Sequence, residues 1–216
     1  MRAVLNVLRI VVVFEIRMWR SLYRWIFRRP VATGPGAEPF TYAGLQTPLL
    51  VVFIAVSAIE IPVLHMLLPW EAVRFVVDLL GVYGLLWMIG ILAMVRVHPH
   101  VLSDEGLRFR YAAGVDATLP WSAVAAVRER GRGLEKGRSI QVIDGVLHVV
   151  MVKQTNVDVT LREPTTVTWA KGRSATVTEV RLYADDPRAF VARARELADS
   201  RKLPPASDYG AAVSMK

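Results

Sequence analysis

The sequence predicts an α+β membrane protein in which a two-helix transmembrane hairpin carries a cytoplasmic antiparallel β-sandwich or barrel, capped by a C-terminal helix. Two long apolar runs, at 48–68 and 73–95, are separated by only four residues. After residue 98 the apolar residues recur at every second position, which is the period of a strand. One amphipathic helical pattern follows the last of these strands. Membrane segments followed by a half-buried sheet therefore define the fold class.

Composition limits the partners and the chemistry of the chain. It has 216 residues, 53% of them hydrophobic, a net charge of +8 and no cysteine. This length leaves room for the hairpin and one further domain. Because the inner leaflet of a membrane is anionic, the basic charge indicates a membrane surface, and no nucleic-acid partner is predicted. The absence of cysteine excludes disulfide and thiolate chemistry.

Residues 1–29 are predicted to form a basic amphipathic helix that lies in the inner interface of the membrane. At 100° per residue the arginines fall on one stripe and the apolar side chains on the opposite side. The membrane-surface arginines are Arg9, Arg17, Arg20, Arg24 and Arg28. Glu15 projects into the apolar side, which indicates packing on protein, either a partner or the hairpin itself. Contact with lipid alone is the other interpretation.

The next segments are a Pro/Gly linker at 30–46 and the transmembrane hairpin at 47–95. The linker cannot continue a helix, because prolines and glycines interrupt it. Each helix of the hairpin is long enough to cross a hydrocarbon core of about 30 Å. The flanks are rich in arginine, whereas the turn region has only Glu71 and Arg74. By the positive-inside rule we expect a multi-pass protein of the inner, cytoplasmic membrane with both termini in the cytoplasm.

Glu60, His65 and Asp78 are ionisable residues inside the predicted spans, where such groups are costly and often functional. Folding the hairpin about its turn brings His65 and Asp78 to nearly the same depth, so that the two side chains can pair. One interpretation is a proton- or ion-handling cluster, or a contact with a larger membrane subunit. The structural alternative pairs Asp78 with Arg74 and leaves His65 near the headgroups. Glu60 is then left over, and a polar partner outside this chain is one interpretation for it.

The region 96–203 is predicted to be a β-domain that ends in one helix. The dipeptide Asp144-Gly145 separates two apolar runs in the manner of a two-residue hairpin turn. Asp185-Asp186-Pro187 supplies a helix start. Residues 204–216 have no apolar face to bury and are expected to be a flexible tail. The predicted strands are 107–111, 124–127, 140–143, 146–152, 157–161 and 180–183.

Three stretches of this domain resemble the bacterial PH-like domain membrane proteins of the actinobacterial type. They are SDEGLR at 103–108, LPWSAV at 119–124 and EVRLYADDPRAF at 179–190. The resemblance covers about residues 96–200 and consists of fold motifs without catalytic residues. It implies a seven-stranded bent sandwich with one end plugged by the helix. It also implies a role in binding lipid headgroups, peptides or partner proteins.

A basic loop between two predicted strands is the candidate site for an anionic partner. Such a loop can hold anionic headgroups or a phosphorylated partner. The alternative is a solvated loop, because Glu129 and Glu135 dilute the charge. The loop is not a phosphate-binding P-loop, since the spacing between its glycines is one residue short and arginine replaces the required lysine. Its cations are Arg128, Arg130, Arg132, Lys136 and Arg138.

No catalytic, cofactor-binding or metal site is predicted. No serine lies in a nucleophile elbow. His98 and His100 lack further ligands at metal spacing, which favours a structural role. We therefore expect a non-enzymatic scaffold or binding protein that presents its PH-like module to a protein or an anionic lipid. Its partner is another membrane protein, a second copy, or anionic lipid. The alternative is an accessory or assembly subunit of a transporter or energy-converting complex that docks through the hairpin.

Overall fold

The computed structural model describes residues 2–29, 36–112, 114–134, 138–170 and 172–200. The predicted tail, 204–216, lies outside them. The helices are α1 (Arg2–Ile26), α2 (Thr47–Leu67), α3 (Glu71–Val97) and α4 (Pro187–Ser200), with a short 3-10 turn at Trp121–Ala123. The strands are β1 (Glu38–Phe40), β2 (His100–Ser103), β3 (Gly106–Tyr111), β4 (Val115–Leu119), β5 (Val124–Gly133), β6 (Ile140–Ile143), β7 (Val146–Val149), β8 (Gln154–Ala170) and β9 (Arg173–Leu182).

Helices α2 and α3 form the predicted hairpin, and both are long and apolar enough to cross a membrane. Proline in the first turn of α2 is well placed, because the backbone N–H it lacks has no acceptor there. No residue of α2 is buried in the structure, so its apolar surface is free to contact lipid or another protein. The two helices approach closely at Gly81, where an added Cβ would lie 2.9 Å from Ile61.

Helix α1 packs lengthwise on α3, about as extensively as α2 does. Phe14 contacts Trp87, and Met18 lies against Gly90 four turns from the start of α1. The residue numbers of the contacting positions increase together along the two helices, so α1 and α3 run parallel. This packing agrees with one interpretation of Glu15, in which the helix packs on the hairpin. Met18, Ser21 and Leu22 of α1 are buried, whereas Leu8, Val11 and Ile26 remain exposed, so the hairpin covers only part of the apolar side of this helix.

The β-domain consists of two sheets. The first is an antiparallel meander in the order β1-β2-β3-β4, and the second has the order β5-β8-β9-β7-β6. The predicted antiparallel pattern fails at one place, because β7 pairs with β9 in parallel, with Val146 beside Glu179 and His148 beside Arg181. Alternation of apolar and polar residues reports the buried face of a strand and carries no information on the direction of its neighbour.

The first strand of the domain comes from the predicted linker. Residues 30–35 lie outside the described part of the chain, but Glu38–Phe40 pairs with β2. The ring of Phe40 is buried and meets Phe190 of α4 edge to face, with 5.1 Å between ring centroids. The β-domain therefore includes a segment that precedes the hairpin, whereas the sequence placed its boundary at residue 96.

Turn chemistry and helix capping follow the predictions with one exception. Asp144 and Gly145 both have positive φ, as a tight hairpin turn requires. The backbone N–H of Ala189 donates to Asp186 Oδ1 over 2.9 Å, which caps α4. Strand β7 ends at Val149 rather than at Val152, because the chain reverses through positive-φ residues there. The prediction was too long because the apolar residues of the sequence continue to Val152, past the end of the strand.

A single core joins the two sheets to α4. Its members include Phe109, Trp121, Val159 and Leu182 from the strands and turn, with Phe190 from the helix. Four apolar residues that recur at helical spacing along α4 are buried: Phe190, Val191, Ala194 and Leu197. One end of the space between the sheets is thereby covered by α4.

Candidate functional site

The helix-proximal end of the β-domain is the end that packs on α3, where Tyr42, Ala43, Val95 and Met151 form a small buried cluster. Here the Tyr42 hydroxyl accepts a hydrogen bond from the Ala112 N–H over 2.7 Å. Burial in this cluster raises the pKa of Tyr42 well above its ordinary value. These contacts attach the β-domain to the last turn of α3, so the strands that end here lie next to the hairpin.

Asp185 ties the segment that precedes α2 to the end of β9. The N–H of Gly44 donates to Asp185 Oδ1 over 2.7 Å, and the N–H of Asp185 donates to the Thr41 carbonyl over 2.8 Å. A Cβ at Gly44 would lie 2.6 Å from Asp185 Oδ1, which leaves no room for a side chain. The chain therefore enters α2 from a segment that is held on the β-domain.

Most of the predicted basic loop is a strand. Arg128, Arg130 and Arg132 lie in β5, at the edge of the five-stranded sheet. The glycines that suggested a loop are accommodated by a register shift between Glu129 and Arg132. The last residue of β5, Gly133, pairs with Gln154, which lies three residues after Met151 of the buried cluster. Strand β5 therefore runs toward the helix-proximal end. We call the exposed edge formed by the arginines of β5 the basic edge.

The five cations of the predicted loop have different environments. Arg132 is engaged, since its Nη2 donates to the buried carboxylate of Asp158 over 3.1 Å. Arg128 and Arg130 are exposed and form no ion pair with any described residue. Arg138 is exposed and lies two residues before β6, and Lys136 lies outside the described residues.

A row of polar side chains crosses the outer face of the five-stranded sheet. Cross-strand pairing aligns Gln141 with His148, His148 with Arg181, and Arg181 with Asp158. Burial and then the Arg181 guanidinium lower the pKa of His148, so the imidazole is neutral at pH 7. The Arg181 side chain also donates to Glu179 over 2.7 Å and lowers the pKa of that carboxyl. The carboxylates of this face are thus already paired with arginine.

An open pocket of about 210 Å³ lies beside this row, between the end of β5 and the turn that joins β7 to β8. Two backbone hydrogen bonds hold its walls, from Leu134 N–H to the Lys153 carbonyl (2.8 Å) and from Val150 N–H to the Ser139 carbonyl (2.7 Å). The lining side chains that bear polar groups are Arg138, Ser139, Gln141 and Lys153. No acidic residue lines it within the part of the chain that the structure describes.

Gln141 is held in this pocket with one group unused. Its side-chain carbonyl accepts a hydrogen bond from the Arg138 N–H over 3.2 Å. Its Nε2 is buried and has no acceptor among the described residues. Leaving a buried donor unpaired costs about 1–3 kcal/mol, so a small shift of the side chain that brings Nε2 to an acceptor in the pocket is favourable.

The ionisable residues of the hairpin separate into a pair and a single group. His65 Nδ1 lies 2.6 Å from Asp78 Oδ2, so the depth match predicted by folding the hairpin brings these two together. Glu60 is exposed on α2 and has no hydrogen bond or ion pair with any described residue. The His65–Asp78 pair satisfies two of the three ionisable groups. The carboxylate of Glu60 remains without a partner among the described residues, on an apolar helix surface where such a group is costly.

The histidines after α3 are structural. His100 is buried, with its Nδ1 accepting from the Arg110 N–H (3.1 Å) and its Nε2 donating to the Tyr183 carbonyl (3.0 Å). Burial lowers the pKa of His100 to about 4. His98 bonds through Nδ1 to the Met94 carbonyl at the end of α3. Neither imidazole belongs to a group of potential metal ligands in the described ranges.

Four of the predicted membrane-surface arginines, Arg9, Arg17, Arg20 and Arg24, lie in α1, and Arg28 follows its end. Arg9, Arg17, Arg20 and Arg28 are exposed, whereas Arg24 is half-buried close to the end of α3. Its charge contributes to the lowered pKa of His98, of which burial is the main cause. Arg17 and Arg24 thus stand on the part of α1 that approaches the helix-proximal end.

Sequence reasoning missed the pocket residues Gln141, Lys153 and Val152. Lys153 is separated from the arginines by an apolar strand, so no local charge run includes it. The available signal was the pair Val152-Lys153 between two strand patterns, a place where a turn must occur. Comparisons of the chain with protein-family models, with curated proteins and with solved structures found no match.

Proposed function

We propose that this chain is a non-enzymatic protein of the inner membrane that presents a PH-like module at the cytoplasmic face, and that this module binds anionic lipid or a protein partner. The observation that carries the proposal is the placement of the basic edge: β5 runs with its arginines toward the helix-proximal end, where Met151 packs on Val95 of α3. If α3 crosses the membrane, this edge lies at the bilayer surface.

The charges of the edge suit a membrane surface. Arg128 and Arg130 are exposed without ion pairs among the described residues, and Lys153 and Arg138 lie further toward the helix-proximal end. Basic residues close to an anionic leaflet contribute about 1 kcal/mol each to the attraction. Two packed sheets with α4 across one end support the PH-like assignment. Strand β1 and the parallel pairing of β7 with β9 depart from the seven-stranded sandwich that the resemblance implied.

The orientation follows from the charge at the ends of the helices. Arg96 lies in the last turn of α3, and five arginines lie between Arg17 and Arg29, at the end of α1 and just after it, on the same side as the β-domain. The positive-inside rule therefore supports a cytoplasmic β-domain. The predicted cytoplasmic N terminus fits less well, because a helix that runs parallel to α3 begins at the level of the turn between α2 and α3. We propose that α1 enters the membrane beside α3.

The lipid retained by the purified full-length chain tests this function. We expect phosphatidylglycerol to be enriched over phosphatidylethanolamine in the lipid that co-purifies in mild detergent, as measured by mass spectrometry. The double substitution Arg128→Gln and Arg130→Gln should reduce the enrichment at least twofold. The matched control removes two exposed arginines elsewhere in β8 and β9, Arg162→Gln and Arg173→Gln, and should leave it unchanged. Equal enrichment in both variants would refute a lipid-binding basic edge.

A second function is favoured by Glu60 alone. An exposed carboxylate in an apolar helix surface is stable when a polar group of another protein reaches it, which suits an accessory or assembly subunit of a larger membrane complex. Gentle-detergent purification should then recover a membrane partner that is lost with Glu60→Gln. Glu71→Gln, at the start of α3, is the charge-matched control. Retention of every co-purifying protein by the Glu60 variant would exclude Glu60 as a docking point.

A further inference from the structure

The pocket bounded by Arg138, Ser139, Gln141 and Lys153 has the chemistry of an anion site. Two cationic side chains and a hydroxyl line it, and no acid lines it within the described ranges. The buried Nε2 of Gln141 has no acceptor among the described residues. The Arg138 N–H holds the other end of the same amide, which prevents the amide from turning its oxygen into the pocket without losing that bond.

The backbone around the pocket is strained on the side of Lys153. Val152 and Lys153 have φ values of +45° and +60°, the left-handed region that β-branched residues rarely adopt. Two-residue turns of this kind normally take Asn-Gly, which adopts positive φ at little cost. The strained turn places Lys153 at the pocket and leaves the apolar side chain of Val152 exposed. Strain of this kind is typical of functional sites.

The position of the turn selects the source of the anion. Met151, the residue before the turn, is buried against the cluster that includes Val95 in the last turns of α3. Val152 and Lys153 therefore lie at the level where α3 leaves its apolar stretch. At that level an exposed valine can enter the edge of the bilayer while the adjacent lysine meets the headgroups.

We propose that this pocket binds a phosphate group, carried by the headgroup of an anionic lipid or by free phosphate. Lys153 and Arg138 neutralise its charge, and Gln141 Nε2 and the Ser139 hydroxyl donate to its oxygens. The proposal rests on the proposed function, since it names the anionic group that the basic edge attracts. It differs from a diffuse surface attraction in requiring particular donors at a particular place.

Titration of the full-length chain in neutral detergent tests the pocket. The probes are dioctanoyl phosphatidylglycerol, the zwitterionic dioctanoyl phosphatidylcholine, and inorganic phosphate, with binding measured by calorimetry. We expect saturable binding of the anionic lipid, and about tenfold weaker binding after Lys153→Gln or Gln141→Leu. Arg173→Gln, which removes a charge from the start of β9, should bind as the wild type does. Thermal unfolding of each variant confirms that the fold is retained.

The outcomes separate the sources of the phosphate. Binding of phosphatidylglycerol that inorganic phosphate does not displace identifies a lipid headgroup. Tighter binding of inorganic phosphate, weakened by the same substitutions, identifies the free ion. Binding that Lys153→Gln and Gln141→Leu leave unchanged overturns the pocket. If Arg128→Gln with Arg130→Gln still reduces the lipid enrichment at least twofold in that case, the basic edge stands without the pocket; if it does not, both proposals fail.

Discussion

The hydroxyl of Tyr83 on α3 donates a hydrogen bond to the carboxylate of Glu15 on α1. Glu15 was the residue that disagreed with a helix lying in lipid, and the bond gives it a polar partner inside the chain. Of the two protein partners that the sequence left open, the structure selects the hairpin. Tyr83 lies near the middle of α3, so the middle of α1 lies beside the middle of a helix that is apolar enough to cross a membrane.

Labelling of single cysteines tests the path of α1. The natural chain has no cysteine, so Ala3→Cys and Ser122→Cys each introduce one reporter. Because α1 runs parallel to α3, we expect a membrane-impermeant maleimide to label these two positions from opposite sides of the membrane. Ser122 is exposed on the β-domain and serves as the cytoplasmic reference. Labelling of both from the same side would restore the helix on the membrane surface.

Gly90 permits the close contact between α1 and α3. A Cβ at this position would lie 2.7 Å from Cγ of Met18, whereas a Cβ at Gly84 meets nothing within 4 Å. We expect Gly90→Val to lower the stability of the full-length chain by about 1–3 kcal/mol, since the two helices must separate. Gly84→Val, in the same helix, should have little effect. Thermal unfolding in detergent measures both, and equal midpoints would show that α1 does not depend on this contact.

Phe40 makes the segment before the hairpin part of the β-domain. Its buried ring packs on Phe190, so Phe40→Ala should reduce the free energy of unfolding by about 3 kcal/mol. Val142→Ala, at an exposed position of β6, should cost less than about 1 kcal/mol.

The packing of β1 on the β-domain can also be tested with fragments. A fragment of residues 97–203 should be less stable than one in which 36–44 is joined to it by a Gly-Ser linker. Equal stability of the two fragments would contradict a structural role for β1.

The turn at Val152 and Lys153 stores strain that can be removed. Val152→Asn replaces a β-branched residue at positive φ with one that tolerates this conformation. We expect a gain of about 1 kcal/mol in the free energy of unfolding, measured by denaturant titration. Val142→Asn, an exposed valine in regular strand geometry, should give no gain. A loss of stability in the Val152 variant would mean that the valine side chain makes a contact worth more than the strain.

His100 makes the β-domain sensitive to acid. Burial lowers its folded-state pKa to about 4, against 6.5 for the unfolded chain. Between these values only the unfolded chain binds the proton, so stability falls as the pH decreases from 6.5 to 4, by about 3 kcal/mol in total. His100→Gln is less stable at pH 7 but should lose less stability over this range. Parallel stability curves for the two proteins would show that His100 does not titrate as its burial requires.

Several features could be predicted because they depend on neighbouring residues in the chain. The tight turn at Asp144-Gly145 and the cap at Asp186 follow from the conformations that these side chains favour. The short connection brought His65 and Asp78 to the same depth, and of the two arrangements left open for Asp78 the structure shows the pair with His65. The buried stripe of α4 followed from its helical spacing.

By itself, the sequence determined the two long apolar helices, the arginine-rich segments that flank them, the β-domain after them and the closing helix. Only the tertiary structure decided that α1 lies along α3, that β1 comes from the linker, that β7 runs parallel to β9, and that Lys153 and Gln141 meet in one pocket. The physical reason is that periodicity and turn residues specify a local conformation and its buried face. The neighbour of that face depends on contacts between segments that are far apart in the chain.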